Sequence, residues 1–274
     1  MQEKQKENKQ AEKDFLFLNL RELPYFRGLL RAVEARFYQE IDLPRPILDL
    51  GSGDGQFATV AFDYALDVGV DPWWEPMKEA ARRGSYRALI QANGSQMPFP
   101  DGFFQSAISN SVLEHIPDLD AVLAEMARVL KPGAPFAFCV PNHNFLSSLS
   151  ISNFLDRIQL KPLGDAYRSF FNRIARHYHC DPPEVWENRL NQAGFSVEKW
   201  WHYYPPESLH VTEWGHYLGL PSLVAHKLTG KWILVPTRWN LFLTEGLVRK
   251  HYLQNPICDQ GVCTFYIARR SFQN

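Results

Sequence analysis

Three glycines at alternate positions, Gly51, Gly53 and Gly55, follow the short apolar run Ile47–Leu50, which itself carries Asp49. Glycine is favoured where φ is positive or where a ligand must approach the backbone closely. Open α/β sheets hold their ligands in such loops, at the C-terminal ends of strands. Two phosphate-specific patterns fail here. The dinucleotide fingerprint G-x-G-x-x-G, started at Gly51, needs a glycine where Gln56 stands, and G-x-x-x-x-G-K-[ST] is absent. The loop therefore suits a nucleotide-like ligand without a pyrophosphate, which disfavours a nicotinamide dehydrogenase. Asp54 reads equally well as a cap for the helix that follows. His115 and His143 come just after the fourth and fifth strands, so both are expected near the ligand edge. There they are candidate catalytic bases, although a capping or core histidine is the plainer reading of each.

His177–Asp181 (HYHCD) contains potential metal ligands, but nothing completes a recognisable spacing. The segment reads as a solvated loop, and no metal is expected. Cys139, Cys180, Cys258 and Cys263 lack C-x-x-C spacing, which argues against a disulfide framework or structural zinc and fits a reducing compartment.

These residues need a frame to position them. Leu20–Ile41 repeats apolar residues at helical spacing. Strands are expected at Ile47–Leu50, Ala65–Asp71, Ala88–Ala92, Phe104–Asn110 and Pro135–Val140, with helices between them. The helix containing Leu119–Leu130 is closed by Lys131-Pro132-Gly133. Two later strands are expected at Phe195–Tyr204 and Val262–Arg270. Strands alternating with helices at this spacing imply right-handed crossovers and a doubly wound parallel sheet. The stretch 205–260 shows no strand alternation. It reads as a helical insertion, because structureless loops of that length are uncommon in compact domains. A second insertion is expected over about 144–183.

ILDLGSGDGQF (47–57) resembles the first motif of class I S-adenosylmethionine-dependent methyltransferases. QANGSQMPFPDGFFQSAISNSVLEHIPD and LAEMARVLKPGAPFAFCVPN resemble later blocks of that family, in order and spacing, and the whole looks like its small-molecule (type 11) branch. The resemblance implies a Rossmann-like, seven-stranded, mostly parallel sheet with its last strand antiparallel. It implies S-adenosylmethionine as cofactor. Asp71, 20 residues after Gly51, matches the acidic residue that accepts hydrogen bonds from both ribose hydroxyls. Gly51, Ser52 and Gly53 would pass close to the ribose and methionine part, and Asp49 would face the amino end. The loop amides and the next helix would meet the carboxylate. Pro72 follows the ribose-binding residue. Asn93 stands where the family often has an aspartate on the adenine amino group; Gly94 and Ser95 add backbone contacts, and Met97 or Trp73 would pack on the ring. Asn110 and Ser111 end strand four, where they read equally as cofactor contacts and as ordinary turn residues. Tyr25 lies in the N-terminal region that often covers the cofactor in this family, but it reads first as a packed aromatic.

The chain has 274 residues with 29 basic and 30 acidic side chains, so it lacks the electrostatic footprint of a nucleic-acid binder. No apolar stretch reaches the length of a membrane span, and the reading is a soluble cytoplasmic protein. Residues 1–14 are expected to form a disordered tail, and 15–274 one methyltransferase domain. The expected function is methyl transfer to a small, fairly apolar acceptor by in-line displacement. The alternative is a non-catalytic cofactor-binding or interaction protein that keeps the fold. The aromatic insertion 205–260 reads as a lid or pocket wall, with a membrane-surface or subunit contact as its rival.

Overall fold

The computed structural model describes residues 13–272. Strands β1 (Ile47–Leu50), β2 (Leu66–Asp71), β3 (Tyr86–Gln91), β4 (Ser106–Asn110), β5 (Pro135–Pro141), β6 (Phe195–Tyr203) and β7 (Cys263–Arg270) form one sheet in the order β3-β2-β1-β4-β5-β7-β6. The first five pair in parallel, and β7 runs antiparallel to both β5 and β6. This is the expected class I architecture. β1, β4 and β5 are buried along their whole length, because helices cover both of their faces.

One face of the sheet packs under α1 (Phe15–Leu20), α2 (Tyr25–Tyr38) and α3 (Gln56–Ala61), with Leu16, Leu29, Phe37 and Phe265 at its centre. The helix α4 (Trp74–Arg83) follows β2 and buries Met77 and Ala80. The other face packs under α5 (Leu119–Val129) and α9 (Pro183–Gln192), around Phe104, Met126, Phe138 and Trp186. The helix expected over Leu20–Ile41 is shorter, Tyr25–Tyr38, and a separate helix, α1, ends at Leu20. Pro24, which has no N–H to donate, sits at the break and precedes α2. Of the tail expected over residues 1–14, positions 1–12 lie outside the described residues. Asp14 accepts the Phe17 N–H at 3.1 Å as the cap of α1 and pairs with Arg249 at 2.8 Å.

Between β5 and α9 lie α6 (Asn144–Ser147), α7 (Ser150–Arg157) and α8 (Lys161–Ala175). Between β6 and β7 lie α10 (Pro206–Leu218), α11 (Leu220–Thr229) and α12 (Arg238–Leu253). Glu213 of α10 locks the two helical groups together. Its fully buried carboxylate accepts from the Ser150 N–H at 2.6 Å, the Ile151 N–H at 3.2 Å and the Tyr167 hydroxyl at 2.9 Å. It thereby satisfies amides at the start of α7 that have no partner within that helix. The outer faces of α11 and α12 expose Leu228, Trp239 and Leu243. No helix among the described residues is long and apolar enough to cross a membrane.

Candidate active site

The glycine loop leaves β1 and is held by β2. Gly51 and Ser52 both donate their N–H to the Val70 carbonyl, at 2.8 and 3.0 Å. Gly51 has φ +82°, and a Cβ there would lie 2.5 Å from both methyls of Val112. Gly53 has φ +52°, and a Cβ there would meet nothing within 4 Å. The backbone at Gly53 therefore faces open space. Asp71, at the end of β2, accepts the Gly53 N–H on Oδ2 and the Trp73 N–H on Oδ1, each at 2.9 Å. Asp54 accepts the Gln56 N–H at 3.1 Å, closing the turn just before α3, whose N-cap is Gly55 rather than Asp54. Gln56 turns inward, and its amide donates to Asn19 of α1 at 3.0 Å. The residue that breaks the pyrophosphate pattern is thus part of the packing of the N-terminal helix.

Asp49 is buried beside this loop and accepts the Tyr86 hydroxyl at 2.6 Å. Burial, opposed by that hydrogen bond and reinforced by nearby Asp71, pushes its carboxyl up to about 7. Asp49, Gly51, Ser52, Gly53 and Asn110 line a cavity of about 300 Å³, roofed by Arg27 and Arg31 of α2. The Ser52 hydroxyl is buried there with no protein partner among the described residues. Arg27 has no carboxylate partner among the described residues; the Trp232 ring lies 5.6 Å from its guanidinium. Burial, and then its neighbour Arg31, lower its pKa.

Across Gly51 and Val112 lies a second cavity of about 580 Å³, lined by Asp71, Pro72, Asn93, Gly94 and Ser95, with Trp73 at its rim. The Asn93 side-chain oxygen accepts the Ser95 N–H at 3.1 Å, so its first task is to shape this turn. Met97, anticipated beside an adenine ring, instead packs in the core against α5. Its N–H is taken by Glu125 at 2.6 Å.

A third cavity, of about 250 Å³, opens behind Arg27 and Arg31. Phe26, Leu30, Phe145, Phe171, Tyr204 and Leu209 give it apolar walls, and Glu114, His115, His177 and His216 give it polar ones. Both insertions contribute. The part of 205–260 that reaches this cavity is α10, not the exposed α11 and α12. Tyr25 instead packs against Gly215 of α10 and has no place in the cavity walls.

The two histidines proposed as bases separate. His115 lines both the second and third cavities, and its Nδ1 lies 3.0 Å from the Arg176 carbonyl. Burial lowers its pKa. His143 lines none of the three. Asn142 caps the N–H of Asn144 at 2.9 Å, and the turn leaves His143 exposed against the His202 ring, 5.8 Å away. The segment 177–181 is not a solvated loop. Tyr178 donates its N–H to the Glu114 carbonyl at 2.7 Å, and His179 Nε2 lies 2.9 Å from the Ile116 carbonyl. Burial, then His115 and His216, hold His177 down at about 4, while burial pushes Glu114 up to about 8.

Glu34, a residue the sequence reading passed over, ties this edge together. Its fully buried carboxylate accepts from Asn110 Nδ2 at 2.7 Å, the Tyr203 hydroxyl at 2.9 Å, the Ser111 hydroxyl at 3.1 Å and Arg31 at 3.4 Å. Arg31 also donates to the Asn110 carbonyl at 2.9 Å. The Asn110 side chain is spent on this network, so Asn110 meets the cavity as a braced element. Ser111 is held at φ +52°, in the left-handed region. A glutamate at one position of a helix carries no local signal for such a role.

Comparison with known proteins fits this geometry. The family described as Methyltransferase domain (type 11) matches residues 48–138. An uncharacterized methyltransferase of Mycolicibacterium gilvum is 39% identical over 90 residues, which are 32% of this chain and 35% of that protein. The matched stretch thus spans about a third of such relatives' length. Among solved structures, a possible histamine N-methyltransferase of Thermotoga maritima has TM-score 0.54 at 14% identity, covering 90% of this chain and 91% of that one. The [4+2]-cyclase SpnF has TM-score 0.53 at 18% identity, covering 88% and 82%. At such identities the structures show a shared fold. Residues 48–138 are thus similar to methyltransferase domains, and the chain shares their fold.

Proposed function

We propose that the chain transfers a methyl group from S-adenosylmethionine to a small, fairly apolar acceptor. One observation carries this reading. Three cavities run together along the C-terminal edge of the parallel strands, sharing Gly51, Val112, Arg27, Arg31 and His115 as boundary residues. The residues fit the cofactor. The open backbone at Gly53, the buried Ser52 hydroxyl and the paired carboxylates Asp49 and Asp71 form a cradle of donors and acceptors without a phosphate site.

In this reading Asp71 takes the ribose hydroxyls while its other lone pairs hold the loop, and the Asn93–Ser95 turn borders the adenine. Asp49 faces the amino group, and Arg27 meets the carboxylate as a charge-assisted partner. Bound S-adenosylmethionine supplies a methyl group already activated on a sulfonium. The chain's work is then to align the acceptor and exclude water. Arg31, braced by Glu34, divides the cofactor cavity from the acceptor cavity. The aromatic and aliphatic walls of the latter favour an apolar body. Where the acceptor carries an exchangeable proton, His115 is the group at the boundary able to take it; His143 is too far out to take part.

The test is transfer of labelled methyl from S-adenosylmethionine to a panel of small aromatic and aliphatic hydroxyl, amine and thiol compounds. Transfer that falls in Arg31→Ala and Asp71→Ala supports the proposal. Cofactor binding without turnover on any acceptor favours the non-catalytic alternative.

A further inference from the structure

The polar end of the acceptor cavity holds a feature the methyl-transfer reading does not use. One ring nitrogen each from His115 and His177 and one Glu114 carboxylate oxygen lie within 4.8 Å of one another. We propose that Glu114, His115 and His177 form a binding site for a divalent first-row transition cation, open on its cavity side to an oxygen-bearing acceptor.

Several independent observations point the same way. The Glu114 side chain is 2% exposed, and its Oε2 is buried with no hydrogen-bond partner among the described residues. A buried carboxylate oxygen without a partner is costly, and either a proton or a cation would satisfy it. The Arg176 carbonyl, 3.0 Å away, can only accept, so His115 Nδ1 is the protonated nitrogen. That leaves the Nε2 lone pair, 3.7 Å from Glu114 Oε1, available as a ligand. A backbone carbonyl that fixes the tautomer in this way is the usual outer support of a metal-bound histidine. His177 has Cys180 Sγ at 3.6 Å from its Nδ1, which orients the ring with Nε2 as its other ligand atom.

The scaffold is braced as well. The turn carrying Glu114 and His115 is joined to the 176–179 segment by the Tyr178 N–H, by the His115 ring and by His179 Nε2 on the Ile116 carbonyl. Two turns 62 residues apart in the chain therefore hold their side chains in fixed register. Ligand atoms at about 2.0–2.2 Å from a metal are about 3 Å apart, so an ion would draw the three inward by an ångström or so. Two imidazoles with one carboxylate suit Zn²⁺, Fe²⁺, Co²⁺ or Mn²⁺ and leave positions free for substrate. Arg31, in the same cavity, is compensated by Glu34.

A cation here would select acceptors with a hydroxyl or a pair of adjacent oxygens at one end and an apolar body at the other. This acceptor class, unlike the metal site itself, rests on the proposed methyl transfer. With His115 Nε2 on the cation, that ring could no longer act as the base, and the bound hydroxyl would lose its proton to solvent instead. Its oxygen would bond to the methyl carbon as the carbon–sulfur bond breaks, and the electron pair of that bond would remain on sulfur. The products are a methyl ether, S-adenosylhomocysteine and one proton.

The experiment separates the two claims. The untagged full-length chain is freed of metal with a chelator. It is then titrated with Co²⁺ alone, followed by visible absorption and by Zn²⁺ competition. Glu114→Gln and His177→Ala are titrated in parallel, with circular dichroism to check their fold and S-adenosylmethionine binding as an independent readout. Expected are one tight equivalent of Co²⁺ displaced by Zn²⁺, and weakening of at least about 10- to 100-fold in each variant, the range that even outer-shell changes cost. The amide of Glu114→Gln keeps the buried side chain's shape. Should His177→Ala fail to fold, that variant decides the matter. Absence of a tight site in the intact chain, or a tight site untouched by the folded variants, overturns the proposal. Cobalt binding without S-adenosylmethionine binding would instead overturn the methyl-transfer reading and leave the metal site standing.

Discussion

Replacing Glu34 by glutamine changes one oxygen to an amide nitrogen in a fully buried junction of α2, β4 and β6. The remaining oxygen, Oε1, can still accept from Ser111 and Tyr203, as it does in the parent. The new NH₂ takes the place of Oε2, which accepts Asn110 Nδ2 at 2.7 Å and Arg31 at 3.4 Å. Two donors then face a donor, and Arg31 loses its counter-charge. Hydrogen bonds to a charged group contribute about 1.5–3 kcal/mol each, so the loss should be roughly 3–5 kcal/mol. Flipping the Asn110 amide offers limited relief, because its Oδ1 already accepts the Cys139 thiol at 3.2 Å. At about 2–4 °C per kcal/mol for a chain of this size, the melting temperature should fall by roughly 10 °C. Urea and thermal unfolding monitored by circular dichroism measure this directly. Glu22→Gln, which breaks a more exposed ion pair with Arg83, serves as control and should cost no more than about 1 kcal/mol. A loss in Glu34→Gln no larger than the control's would refute the view of Glu34 as the junction's central acceptor.

Further outcomes follow from the same geometry. Arg27→Ala should weaken S-adenosylmethionine binding by about tenfold or more, since a charge-assisted contact to the ligand is lost; equal affinity in calorimetry would remove Arg27 from the carboxylate site. Gly51→Ala should cost about 2–4 kcal/mol and abolish cofactor binding, because it combines a positive φ with a clash against Val112. Asp49 titrates near 7 when folded against 3.8 as its ordinary value. Its folded pKa is raised, so the stability this imparts is full below about pH 4 and is lost as pH rises to about 7. Asp49→Asn should escape that loss, gaining about 2–3 kcal/mol on the parent between about pH 5 and about pH 8 in urea unfolding. A pH-independent difference would mean that Asp49 does not titrate in that window.

The sequence made the sheet legible because the buried strands are short apolar runs punctuated by glycine and proline, a pattern that burial on both faces requires. Its boundaries drifted where strands carry polar residues, as at Tyr86–Gln91, an edge strand with Arg87 and Gln91 exposed. The glycine loop was legible because its positive-φ glycines mark the turn after β1 in the local sequence. What failed depended on chain paths that no local pattern encodes. His143 was placed by its position after β5, but the Asn142 turn carries it outward. The segment 177–181 reads as a solvated loop, yet the insertion returns His177 to His115, with ring centroids 5.3 Å apart. Glu34 and Glu213 look like solvated helix residues and are buried acceptors. Met97 looked like an adenine contact and fills the core.

The most direct measurement is calorimetric titration of S-adenosylmethionine into the intact chain and into Asp71→Ala. The account predicts saturable binding of one equivalent to the intact chain. In the variant it predicts weakening of at least about tenfold, because the ribose acceptor and two loop hydrogen bonds vanish together. An intact, folded chain that binds no S-adenosylmethionine would contradict it.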